Sequence, residues 1–187
     1  MYRKALLVVL LVAAAGSVSA KKFSPSPVFL KGEKQINIVF DYSNVVFDGD
    51  SQEKQYRAKG KKWVEEWEGS RRVEYAKTFI KSVNDELVKV GVAVGEFPQA
   101  QYTIIVEVLD CDFGAYAGPA MAFPAKLKCT IKIVKTGTTN VLASLTLKEA
   151  QNSVTCVGTP VDFNRMRFAY IEVAEEVGEV LAKVLKK

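Results

Sequence analysis

The chain has 187 residues, 49% of them apolar, with 26 Lys and Arg against 21 Asp and Glu and no histidine. That size and balance suit one globular domain with a full hydrophobic core. The missing imidazole excludes a Ser-His-Asp triad, a Cys-His dyad and an HExxH zinc site, and nothing in the composition calls for a cofactor or a metal.

Residues 1–20 read as a secretory signal peptide. Arg3 and Lys4 precede the apolar run Ala5 to Gly16, and Val18-Ser19-Ala20 ends in the small residues of a cleavage site. The run is shorter than the ~20 apolar residues that cross a bilayer, and the charged pair Lys21-Lys22 follows it, so cleavage after Ala20 is expected rather than retention as a transmembrane anchor. The first cysteine is Cys111, far from the position that lipoprotein acylation requires. The mature chain would carry 24 basic against 21 acidic residues. That excess is too mild for a nucleic-acid binder. Export makes a periplasmic or secreted location the expectation.

Residues 21–34, with Ser24-Pro25-Ser26-Pro27, predict an extended leader acting as a tether outside the core. The domain proper spans 35–187. Ile36, Ile38, Phe40 and Tyr42 alternate with polar residues as in a half-buried strand. Asp48-Gly49-Asp50 turns the chain into a charged insertion, 50–69, which holds Trp63 and Trp67. From Ser70, a candidate N-cap, the residues Val73, Ala76, Phe79, Ile80, Val83, Leu87 and Val90 mark one face of a helix that stops at Gly91. Tyr102 to Leu109 is apolar on both faces and predicts a central strand covered on both sides, at least partly. Leu127, Cys129, Ile131 and Ile133 alternate with Lys126, Lys128, Thr130 and Lys132, and Thr136-Gly137 turns into a third strand over Val141 to Leu147. Asn152 to Val157 reads as a further extended piece. A last helix starts near Asp162 or Asn164 and buries Met166, Tyr170, Val173, Val177, Leu181 and Val184. The order strand, helix, three strands, helix predicts an α+β two-layer sandwich: a mainly antiparallel sheet with two helices on one face.

The segment Ala100 to Leu147 consists of the run Ala-Gln-Tyr-Thr-Ile-Ile-Val-Glu-Val, a Gly/Ala-rich loop, an alternating strand, Thr-Gly and Val141-Leu142, and an amphipathic helix closes the chain. It resembles uncharacterised exported α+β domains of Gram-negative bacteria. The resemblance implies a periplasmic or envelope-associated domain, often part of an outer-membrane assembly. Many such relatives are lipoproteins, and this chain lacks the acylation cysteine.

Gly114 to Pro124 is uncharged and bears Tyr116, Met121 and Phe123. It is either a contact surface for an envelope partner or a loop folded back over one end of the sandwich. Trp63 and Trp67 are four apart and share one helical face, with Tyr56 nearby. They form either a carbohydrate- or small-ligand-binding platform or a plug between insertion and domain. Cys111 and Cys129 are equidistant from the tip of the predicted hairpin and are candidates for a disulfide, with three buried thiols as the other reading. Lys126, Lys128, Lys132 and Lys148 predict a basic sheet face, solvated or attracting anionic surfaces. Asp48, Asp50, Glu53, Asp110 and Asp112 miss the calcium-loop pattern and read as turn formers, and no phosphate-binding glycine motif is present. The sequence favours an exported, non-enzymatic domain that acts through protein or envelope contacts. The ligand-binding module is the alternative, and a carboxylate-based hydrolase is a third reading.

Overall fold

A computed structural model describes residues 21–116, 122–151 and 162–186. The signal segment 1–20, the extended piece 152–157 and Cys156 lie outside the described residues.

The main sheet is built from β1 (Gln35–Asp41), β2 (Val46–Phe47), β3 (Asp50–Ser51), β4 (Ala93–Gly95), β5 (Tyr102–Asp112), β8 (Lys126–Lys135) and β9 (Val141–Gln151). A separate two-stranded ribbon, β6 (Ala115–Tyr116) and β7 (Ala122–Phe123), stands at the end of β5. β8 pairs with β5 along its whole length, so β1 and then β2 occupy the other edge of β5. The lateral order is therefore β4-β1-β5-β8-β9. The long β5–β8 and β8–β9 ladders are antiparallel, whereas β1 runs parallel to both β4 and β5. Parallel neighbours need a crossover, and the helical stretch between β1 and β4 supplies it. β4 has only three residues, and Asn84 fastens it: Nδ2 donates to Val94 O at 2.8 Å and Oδ1 accepts from Val94 N at 2.7 Å.

The charged insertion is helical, as α1 (Gln52–Lys59) and α2 (Lys61–Glu66), followed by a π-turn over Trp67–Arg71 and by α3 (Arg72–Leu87). Ser51 caps α1 by accepting from Lys54 N, and Gly60 breaks the first helix with φ +80°. Ser70 is not an N-cap, because the chain is already helical there and its hydroxyl donates back to Glu66 O. The buried stripe of α3 runs through Tyr75, Phe79, Ser82, Val83 and Leu87, and Val73 is exposed. Tyr75 rather than Val73 completes the stripe, because it stands one turn before Phe79 on the same face. The helix ends through a 3₁₀ turn at Val88–Val90, with Gly91 left-handed as expected.

α4 (Asp162–Leu185) packs beside α3 on the same face of the sheet. Ile36, Ile38, Ile104, Val106, Val108, Leu127, Cys129, Ile131, Ile133, Leu145 and Leu147 point into this layer. Ile105 and Leu109, on the opposite face, are only half-buried. β5 is thus covered on one side, and the two-layer α+β reading holds with a mixed sheet. A small buried polar network lies on the open face at the start of β5. There Asn37 Nδ2 donates to Thr103 Oγ1 at 3.1 Å, and the hydroxyls of Thr103 and Thr136 lie 2.9 Å apart.

The leader is no tether. Phe23 and Leu30 are core residues, and Ser24 makes two backbone hydrogen bonds with Ser144 on β9. Apolar residues placed among prolines fix this segment on the domain, because burying them outweighs the freedom lost by a short chain.

Candidate functional site

Two features of β5 build the end of the molecule that carries the uncharged loop. The first is a bulge between Val108 and Asp110, where the β5–β8 register shifts by one residue. A one-residue shift exchanges the faces of every later side chain. Cys111 is therefore carried into the core, and Asp110 and Asp112 are placed opposite Lys128 and Lys126. The second is the base of the ribbon. Phe113 is buried, and its carbonyl accepts from Arg165 Nε at 3.0 Å. Gly114 has φ +64°, donates from N to Asp112 Oδ1 at 2.7 Å, and has no room for a Cβ, which would stand 2.6 Å from Pro124 O.

From that base the ribbon pairs Ala115 with Phe123 and Tyr116 with Ala122. Ala125 re-enters the core, while Phe123 remains 58% exposed. Of the three residues proposed for partner contact, Phe123 is thus at the surface and part of the ribbon. Tyr116 is placed by its backbone alone, and Met121 lies outside the described residues.

Trp63 and Trp67 do share one face, stacked at 5.9 Å between ring centroids. That face is turned inward. Trp67 is completely buried, and Trp63 also stacks on Phe163 at 5.5 Å and meets Phe113 edge-on at 5.8 Å. Phe47 packs against both indoles at 5.7 and 5.2 Å. The pair joins insertion to domain and offers no open ring face on Trp67 for a sugar, which corrects the platform reading. Tyr56 closes the cluster on the solvent side. Its hydroxyl donates to Glu68 Oε1 at 2.9 Å and accepts from Gln52 Nε2 at 2.6 Å, and burial together with the Glu68 bond raises its pKa. Arg72 lies over the rings of Tyr42 and Trp67 at 4.7 and 5.3 Å.

The disulfide expectation is also corrected. Cys111 and Cys129 are unbridged and buried. The bulge sets Cys129 opposite Val108 and Cys111 opposite Leu127, so the two thiols are out of step across the ladder. Burial raises both, Cys129 to about 12, which makes them poor nucleophiles.

The sheet face carrying Lys126, Lys128 and Lys132 is of mixed sign, not basic. Lys132 Nζ lies 2.8 Å from Glu107 Oε2, and Lys126 Nζ lies 4.0 Å from Asp112 Oδ2. A shallow cavity of about 760 Å³ at this face is lined by Lys21, Asp48, Asp110, Asp112, Lys126, Lys128 and Thr146. Burial raises the pKa of Asp110 despite backbone hydrogen bonds from Gly49 and Asp48. Among the described residues no group of three or more Cys, Asp or Glu side chains is placed to hold a metal ion. No helix among them is long and apolar enough to cross a membrane.

Sequence reasoning missed Arg165, whose side chain is 1% exposed and bonds both Phe113 O and, at 2.5 Å, Asp162 Oδ1. An arginine next to the apolar positions Phe163 and Met166 reads as surface unless the loop it serves is known.

No protein-family model matches the chain. No curated protein matches it. Among solved structures, the chain is similar at a TM-score of 0.38 and 6% identity to the PelC dodecamer of Paraburkholderia phytofirmans, over 77% of this chain and 88% of that one. A single-substitution variant of the PelC dodecamer from the same organism gives a TM-score of 0.38 and 12% identity, over 84% of this chain and 92% of that one.

Proposed function

We propose that this protein is an exported, non-enzymatic contact domain of the cell envelope, and that the β6–β7 ribbon carries the contact. One observation supports this reading: the ribbon leaves the sheet on a rigid, buried base and holds the aromatic ring of Phe123 in solvent. A loop that only extended the core would bury this ring. An aromatic ring held in solvent beside a buried base suits partner capture, because Phe123 offers a large apolar surface for a partner to desolvate. The uncharged composition of Gly114 to Pro124 fits the desolvated centre of such an interface.

The non-enzymatic part of the proposal rests on residue chemistry. The chain has no imidazole, and its two described thiols are buried and protonated.

A photoreactive residue at position 123, introduced in the exporting cell, tests the reading. The expected result is a discrete crosslinked adduct at 123 that is absent when the same residue replaces Val141, which is 45% exposed on β9. Equal labelling from both positions, or none from 123, overturns it.

A further inference from the structure

The opposite end of the molecule has a different chemistry. Lys31, Lys34, Lys89 and Lys186 come from three separate stretches of the chain and converge on a cavity of about 610 Å³. Among the described residues the only carboxylate lining it is Glu33, and its apolar wall is Val90, Val92 and Leu185. Lys89 pairs with Glu86 at 2.9 Å, whereas no carboxylate of the described residues pairs with Lys31, Lys34 or Lys186. Val92 also lines a neighbouring hollow that Val88 borders, and Val88, at 71% exposure, is the most exposed large apolar side chain described. Val28, just before Lys31, is 58% exposed.

We propose that this lysine pole docks on the headgroups of an anionic phospholipid bilayer. Charge complementarity and the mixture of side chains point to that occupant. Ammonium groups on flexible stems beside exposed valines are the components of an interfacial contact: the stems lie on apolar surface while the charges reach phosphate. A small anion held inside the cavity is disfavoured, because α3 and α4 both end here and direct the negative ends of their dipoles towards it. A plane of headgroups is met by the exposed lysine tips instead. This surface is separate from the ribbon, so either assignment can fail without the other.

Co-sedimentation of the purified protein with phosphatidylglycerol vesicles at low salt, against phosphatidylcholine vesicles, tests the proposal. Binding to phosphatidylglycerol is expected to exceed binding to phosphatidylcholine at least tenfold and to fall with salt. Each lysine near an anionic surface is worth about fivefold, so the combined Lys31→Gln, Lys34→Gln and Lys186→Gln variant should bind on the order of 100-fold more weakly. Val88→Asp should weaken binding severalfold, while Lys126→Gln with Lys128→Gln should leave it within about twofold. All substituted side chains but the half-buried Lys126 are exposed, and circular dichroism checks that the fold is kept. Equal binding to the two lipids, or an undiminished triple variant, overturns the proposal. Displacement by inorganic phosphate well beyond that by chloride at equal ionic strength also overturns it, by assigning the lysines to a soluble anion.

Discussion

The Nε of Arg165 donates to the carbonyl oxygen of Phe113 at 3.0 Å, and this bond joins the first turn of α4 to the root of the β6–β7 ribbon. The guanidinium also holds Asp162 at its own helix start, while Arg71 covers the ring of Phe163 at 4.9 Å. The projecting ribbon is therefore braced from inside the domain.

Arg165→Ala should cost about 2–4 kcal/mol, because it strands a buried carbonyl and leaves a cavity beside the aromatic cluster. For a domain of this size that lowers the melting temperature by roughly 5–15 °C. Urea titration gives the energy, and a loss below about 1 kcal/mol would show that the bond does not support the ribbon's root.

Gly178 on α4 lies against Val83 and Glu86 of α3. A Cβ there would stand 2.8 Å from Glu86 Cβ and 3.2 Å from Val83 O. Gly178→Ala should therefore destabilise by about 1–3 kcal/mol, against the usual helical gain from alanine. Gly69→Ala, in open space within the π-turn, should instead be neutral or stabilise by up to ~1 kcal/mol. Thermal melts should show a clear loss for Gly178→Ala and none for Gly69→Ala, and an unchanged melt for Gly178→Ala would contradict the close approach.

Trp67 should emit as a buried indole, blue-shifted and protected from iodide, and half-buried Trp63 should be quenched only in part, with no response to added glycans. Trp67→Ala should cost about 3–5 kcal/mol. Strong quenching of the native protein by iodide would place the pair at the surface and revive a ligand platform.

Stability should fall on the alkaline side. Burial raises Tyr42, Tyr75 and Tyr170 above the ordinary value of 10.0, and Cys111 and Cys129 above 9.0. For groups raised in the folded state, the unfolded chain loses its protons first. The stabilisation is complete below the unfolded values and is lost as pH climbs through the folded ones, which for Cys129 means up to about 12. Each such group adds up to about 1.4 kcal/mol per pH unit to the slope. Urea midpoints should decline from about pH 9 upward, and more gently in Tyr170→Phe once its own loss of stability is subtracted. A flat profile between pH 9 and 11 would contradict the burial of these groups.

The alternation of Leu127, Cys129, Ile131 and Ile133 and the stripe of α4 were legible because each depends on local periodicity. The direction of β1 was not, since an alternating strand reads the same parallel or antiparallel. The three residues of β4 are too few to show a pattern, and they depend on a side chain of α3 for their place. The bulge at Leu109 carries no glycine or other mark, yet it decides where Cys111, Asp110 and Asp112 point. Lysines at 31, 34, 89 and 186 form no run in the sequence, so only folding assembles them. At the candidate site the uncharged loop was visible from composition, whereas its brace, Arg165, was not.

The way the leader lies on β9 also bears on how copies of the chain can meet. One margin of the sheet is the three-residue β4, and the other is crossed at Ser144 by Ser24. β4 is too short for another chain to zipper onto, and the bridge interrupts the outer edge of β9 at Ser144. Filament growth along the β4 flank is accordingly not expected, even at high concentration.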